Sequence, residues 1–159
     1  MNAVNKNELI GRKASAYAPA STGNVSVGFD LLGAALVRID QQPLGDTVHV
    51  EFSQQDEMIN SGEFAHVCPT DKMQNLAWIA YVLFRSKLSN SDEYPAVKME
   101  LVQSLPVGSG LGSSACSVVA SLTALNRLFE LPYTDQELLT LMGEVEAGAS
   151  GDLHYDNVA

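Results

Sequence analysis

Pro106-Val107-Gly108-Ser109-Gly110-Leu111-Gly112-Ser113-Ser114-Ala115 puts three glycines within five residues, between a strand-like run and a long helix-like run. Glycine-rich backbone can bring its N–H groups close to an anion because no Cβ stands in the way. The helix beginning at Ser113 adds unpaired N–H groups and the positive end of its dipole. Such a loop is built to hold phosphate. The G-x-x-x-x-G-K-[ST] type of phosphate loop is excluded, since no lysine follows any of these glycines. A dinucleotide fold needs an acidic residue at a strand tip about 20 positions on. Glu130 lies at that distance, but at a helix end. A plain helix cap by Ser113 or Ser114 needs one glycine and one hydroxyl, which leaves most of the stretch unused.

Residues 96–101 alternate apolar and polar, and form the strand that feeds the loop. Beyond the loop, a helix over 113–129 carries Ala115, Val118, Val119, Leu122, Leu125 and Phe129 on one core face. Pro132 breaks the chain, and Thr134 with Glu137 forms a capping box that opens a helix running to about Glu146. Upstream, residues 14–17 and 33–39 read as strands with a loop over 18–32 between them. Over 47–52, Val48, Val50 and Phe52 face one way and Thr47, His49 and Glu51 the other. Residues 53–72 are polar and irregular. A helix follows over 72–87, with Leu76, Ile79, Ala80, Leu83 and Phe84 on its stripe and Trp78 and Tyr81 beside it as packing. Residues 1–13, polar and aperiodic, predict a frayed tail.

With 159 residues, 46% of them hydrophobic, the chain can bury one compact core. A formal charge of −10 argues against nucleic acid or an anionic membrane surface as partner. A phosphate ligand therefore gains nothing from the overall field and must be held by local N–H groups and a metal ion. No apolar run is long enough to span a bilayer, and residues 1–13 lack the apolar core of a signal peptide, which predicts a cytoplasmic protein. Cys68 and Cys116 are too few for a disulfide scaffold.

Residues 106–115 satisfy P-x-x-x-G-L-[GS]-S-S-[AS] at every specified position and resemble the second signature motif of the GHMP kinases. Residues 19–33, Pro-Ala-Ser-Thr-Gly-Asn-Val-Ser-Val-Gly-Phe-Asp-Leu-Leu-Gly, are similar to the first motif of the homoserine-phosphorylating branch of that family. Residues 146–159 resemble its third motif, E-G-x-x-x-G-x-x-H-x-D-N-V-A, with Ala147 in place of glycine and Asp152 in place of a small residue. The resemblance implies an α+β fold, a mainly antiparallel sheet backed by helices with the glycine-rich loop before a helix. It also implies that residues 14–159 are the N-terminal, ATP-binding domain of a longer enzyme whose C-terminal domain is absent here. The activity implied is ATP-dependent phosphorylation of L-homoserine to O-phospho-L-homoserine, a step of threonine biosynthesis.

By the same resemblance, Pro106, Val107, Gly108, Ser109, Gly110, Leu111, Gly112, Ser113, Ser114, Ala115 and Cys116 hold the nucleotide, with Asn75 at the adenine. Cys116 also reads as a small packing residue of the loop helix. Ser114 (Ser113 as second choice) and Glu146 are the implied Mg²⁺ ligands, a hydroxyl and a carboxylate as that hard ion prefers. Asn24, Asp30, His154 and Asn157 are the implied homoserine-binding residues. Asn157 and Glu146 are the implied catalytic pair, Asn157 orienting the hydroxyl while the γ-phosphate assists its deprotonation. Each residue has a plainer reading too. Glu146 can be a solvated helix-end carboxylate, Asn24 and Asp30 turn formers, and Asn75 an ordinary helix-start residue. Asp152-x-His154-x-Asp156 lacks the second cluster that a zinc or iron site would need. A non-catalytic nucleotide-binding or association fragment, and another small-molecule kinase of the family, stay open as alternatives. A sheet face left bare by a missing domain would favour a homodimer.

Overall fold

A computed structural model describes residues 6–23 and 33–150, apart from the side chains of 149 and 150. One helical turn, α1 (Lys6–Leu9), precedes β1 (Lys13–Pro19), β2 (Ser21–Thr22), β3 (Ala34–Ala35), β4 (Gly45–Ser53) and β5 (Glu57–Ser61). Then come α2 (Leu76–Lys87), β6 (Ala96–Val102), α3 (Ser113–Leu128) and α4 (Asp135–Ser150). The main sheet runs β1-β4-β6-β5, antiparallel except for the parallel pair β5–β6, and β2 pairs β3 in a short ribbon. The fold is thus α+β, a mainly antiparallel sheet backed by helices.

Strict alternation in β4 and β6 builds one face of the core. Val48 lies opposite Leu101, Val50 opposite Met99 and Phe52 opposite Val97, all of them buried. Ala16 and Ala18 of β1 complete that face, and α3 lies across it with Val118, Leu122 and Leu125. The other sides of α3 meet α2 and α4, so the helix is buried nearly all round. Its small residues Ser117, Ala120, Ser121 and Ala124 allow the close approach, and the Ser121 hydroxyl donates to the Ser117 carbonyl one turn back. Phe129 closes the far end of the core against Phe52 and Phe84, at ring-centroid distances of 4.9 and 5.2 Å.

Several expectations are corrected. The strand predicted over 33–39 shrinks to Ala34–Ala35, and Val37 and Ile39 stand exposed. Residues 53–72 are less irregular than predicted, holding β5 and a 3₁₀ turn at Ala65–Val67. Residues 6–13 do not fray, since α1 is followed by hydrogen bonds from Gly11 N–H to the Phe52 carbonyl and from Phe52 N–H to the Arg12 carbonyl. The helix predicted over 72–87 is a 3₁₀ turn at Lys72–Gln74 and then α2, divided where Asn75 is extended at ψ 121°. Trp78 and Tyr81 lie in the core beside Ala77, Ala80 and Phe84, so the buried side of α2 is rotated from the predicted stripe. The open face of the sheet carries Lys13, Ser15, His49, Glu51, Lys98 and Glu100. Tyr17 and Val102 are apolar side chains on a face that is otherwise mainly polar, so the broad bare apolar sheet expected to drive dimerisation is not found among the described residues.

Candidate functional site

Between β6 and α3 the chain turns through three left-handed glycines, Gly108, Gly110 and Gly112, at φ 74°, 77° and 65°. A Cβ on Gly108 or Gly110 would meet no atom within 4 Å, so these positions need glycine for the backbone angle rather than for room. Gly112 is the residue before α3, and no side chain caps the helix. The first-turn amides of Ser113, Ser114 and Ala115 have no intrahelical acceptor, and they point out of the helix toward its N-terminal end.

They open onto a cavity of ≈ 630 Å³. Val107 to Gly110, Gly112 to Ala115 and Ser117 form one wall; Val67, Cys68, Pro69, Gln74, Asn75 and Leu76 form another. Thr22, Gly23, Leu101, Gln103 and Glu146 complete the lining. The lining thus mixes apolar side chains such as Val67, Pro69, Leu76 and Val107 with the hydroxyls and amides at the start of α3, a surface suited to a ligand with a flat apolar part and an anionic tail.

Ser114 and Glu146, thirty-two residues apart, meet at this cavity: Ser114 Oγ donates to Glu146 Oε1 at 2.9 Å. The pairing comes from α4 packing against α3. Burial raises the Glu146 carboxyl above its ordinary value, and the Ser114 hydroxyl offsets part of that rise. A hydroxyl and a carboxylate on the same cavity lining as the first-turn amides are hard oxygen donors of the kind that suit Mg²⁺, and a cation there would relieve the cost of burying the charge.

A polar cluster lies behind the loop. Asp46 is fully buried. Its Oδ1 accepts from the N–H groups of Ser104 and Leu105 at 2.8 and 3.1 Å. Its Oδ2 accepts from Ser117 Oγ and Gln103 Nε2 at 2.8 and 3.0 Å. Gln103 Nε2 also donates to Ser113 Oγ at 2.8 Å. Asp46 and Gln103 were not anticipated from the sequence, although each continues the core-facing parity of its strand, two residues before Val48 and two after Leu101. Val67, Cys68 and Pro69 were missed as well, because they lie in a stretch without periodicity.

The predicted residues divide. Gly108, Ser109, Gly110, Gly112, Ser113, Ser114, Ala115 and Val107 reach the cavity, whereas Pro106 and Leu111 are not on its wall. The Pro106 carbonyl accepts from Ser109 Oγ, and the Leu111 carbonyl from Ser21 N–H. Cys116 does not face the site: its thiol donates to the Ala18 carbonyl at 2.8 Å and its N–H to the Gly112 carbonyl. It is a packing residue, since α3 turns it toward β1. Ser113 Oγ is engaged by Gln103, which leaves Ser114 as the hydroxyl beside Glu146. Asn75 lies on the wall, but its Oδ1 caps α2 at Ala77 N–H and its Nδ2 donates to Asn60 Oδ1. The helix-start reading of Asn75 is the one its contacts support. Asn24, Asp30, His154 and Asn157, and with them Asp152 and Asp156, lie outside the described residues.

A family model described as the GHMP kinases N terminal domain matches residues 75–159, more than half of the chain. The chain belongs to this family. The chain is 48% identical to a homoserine kinase of Buchnera aphidicola subsp. Schizaphis graminum over 143 residues, 90% of this chain and 45% of the relative. A homoserine kinase of Buchnera aphidicola subsp. Acyrthosiphon pisum is 47% identical over the same shares. The chain thus spans less than half the length of the curated relatives it matches. Among solved structures, homoserine kinase from Cytophaga hutchinsonii superposes with a TM-score of 0.79 at 32% identity, covering 92% of this chain and 44% of that one. A mevalonate kinase from Methanococcus jannaschii, at 14% identity and a TM-score of 0.60 over 93% of this chain and 50% of that one, shares the fold.

Proposed function

We propose that this GHMP kinase domain is the nucleotide-binding part of a homoserine kinase, transferring the γ-phosphoryl group of ATP to the hydroxyl of L-homoserine. The observation that carries the reading is the meeting of Ser114 and Glu146 on the lining of a cavity that also receives the first-turn residues of α3. The homoserine kinases found as relatives give it the acceptor.

In this reading the homoserine oxygen bonds to the γ-phosphorus, the bond from phosphorus to the β–γ bridging oxygen breaks, and ADP leaves. The hydroxyl proton passes to the transferred phosphoryl group. Phosphoryl transfer asks the protein mainly for positioning and charge stabilisation. The amides of Ser113, Ser114 and Ala115 hold the phosphate tail at the positive end of α3. Ser114 and Glu146 hold Mg²⁺, which when bound neutralises charge on the phosphates. The wall of Val67, Pro69 and Leu76 takes the flat, apolar base. Asn24, Asp30 and His154 bind homoserine, and Asn157 orients its hydroxyl, an amide being unable to act as base. The setting of this reading is threonine biosynthesis in the cytoplasm; no described helix is long and apolar enough to cross a membrane.

The test is a coupled ADP-release assay with ATP, Mg²⁺ and L-homoserine, run on this chain and on a form extended to the length of its relatives. Saturable homoserine-dependent turnover in either is expected. In the active form, Ser114→Ala and Glu146→Gln each lower kcat on the order of 10²-fold. Preference for another hydroxyl acceptor, or activity indifferent to both substitutions, overturns the proposal.

A further inference from the structure

The Asp46 carboxylate takes no part in the chemistry above, yet it is buried beside the phosphate loop with no cation paired to it among the described ion pairs. A buried charge is costly unless its hydrogen bonds are complete, and an apolar residue at the start of β4 would avoid the cost. Here the bonds are complete and they are directed. One oxygen grips Ser104 and Leu105, the chain entering the loop just before Pro106. The other grips Ser117, one turn inside α3, and Gln103, which in turn holds Ser113. The backbone of Asp46 is tied to the same helix, its N–H donating to Cys116 Sγ at 3.1 Å.

We propose that Asp46 is a positioning residue for the phosphate loop, fixing its entry against the first turns of α3 and so setting the direction of the amides that meet phosphate. The inference rests on the nucleotide reading of the cavity. Between the two gripped ends the chain passes through Gly108, Gly110 and Gly112, whose backbone has the greatest freedom to lose. Within the loop, the described restraints are the Ser109 hydroxyl on the Pro106 carbonyl and Ser21 N–H on the Leu111 carbonyl. A site that acts through pre-aimed dipoles needs its ends held before the ligand arrives.

The experiment is equilibrium binding of ATP and of adenosine to the 159-residue chain, beside thermal melts, for wild type, Asp46→Asn and Ser117→Ala. Asp46→Asn keeps the shape and one acceptor for the two amides, but turns an NH₂ group toward the donors of Gln103 and Ser117. Ser117→Ala removes one arm and adds nothing. Expected is a loss in ATP affinity of about tenfold for Asp46→Asn and about threefold for Ser117→Ala, with adenosine affinity kept within about twofold because the base wall is untouched. Where adenosine binds too weakly to measure, the ATP constant decides. Should Asp46→Asn not fold, Ser117→Ala decides. Folded variants that bind ATP as wild type does, or that lose ATP and adenosine equally, overturn the inference while leaving the nucleotide reading intact. Wild-type chain that binds no ATP overturns that reading, and the inference falls with it.

Discussion

At Gly45 the close pairing of β1 with β4 leaves no room for a side chain. The residue lies opposite Pro19, and a Cβ there would come within 2.0 Å of the Ala18 carbonyl oxygen, a backbone atom that cannot swing aside. Gly45→Ala is expected to destabilise the chain by about 2 kcal/mol or more, read from the midpoint of urea unfolding. An unchanged midpoint would mean that the strand edge yields freely. The neighbouring Asp46 gives a pH prediction. Burial raises its carboxyl above the ordinary 3.8, the donated bonds offsetting part of the rise, so the folded chain holds the proton more tightly than the unfolded one. The stability from that proton is full below 3.8 and is lost as pH rises through the raised folded value. Wild type should therefore lose stability relative to Asp46→Asn as pH climbs through this window. A constant difference between the two unfolding curves would refute the assignment. Asp46 and Gln103 show where reading at this scale stops. Strand parity places both on the core face, but parity says nothing about which buried donors will surround a carboxylate.

Helix α4 brings Glu146 to the cavity, and its start was legible in the sequence. Thr134 N–H and Oγ1 both donate to Glu137 Oε2 at 2.8 Å, and Glu137 N–H reaches back to Thr134 Oγ1 at 3.4 Å. Thr134→Ala removes the hydroxyl from that box and should cost about 1 kcal/mol, measured by chemical unfolding. The Thr134 amide and hydroxyl hold the Glu137 carboxyl below its ordinary 4.5. Their contribution is present above 4.5 and is lost as pH falls through the lowered value, so the penalty of Thr134→Ala should shrink in acid. A penalty independent of pH would speak against the box. Elements with a clean period, β4, β6, α3 and α4, were readable because each buries one regular set of side chains. β5 was not. Glu57-Met58-Ile59-Asn60-Ser61 has two apolar residues, and its partner β6 begins thirty-five residues after it ends. The reverse error arose at residues 33–39, where Val37 and Ile39 look like a strand but stand exposed beyond the last pairing bond, from Leu36 N–H to the Ala20 carbonyl.

Over the whole molecule, the meeting of Ser114 with Glu146 could be placed from the sequence only by resemblance. It depends on α3, α4 and the sheet stacking in one order, which no local pattern records. The same stacking separates the fates of the two cysteines. Cys116 is sealed between α3 and β1, its thiol pushed up to about 12 chiefly by burial. Cys68 stands half-buried on the cavity wall, its sulfur near the Gln103 carboxamide oxygen at 3.7 Å. An alkylating reagent applied to the folded chain should therefore mark Cys68 and spare Cys116, and saturating ATP should slow the marking about tenfold or more. Equal labelling of both thiols, or a rate blind to ATP, would contradict the placement of that wall. A single sulfur thus serves as a built-in gauge of whether the chamber is filled.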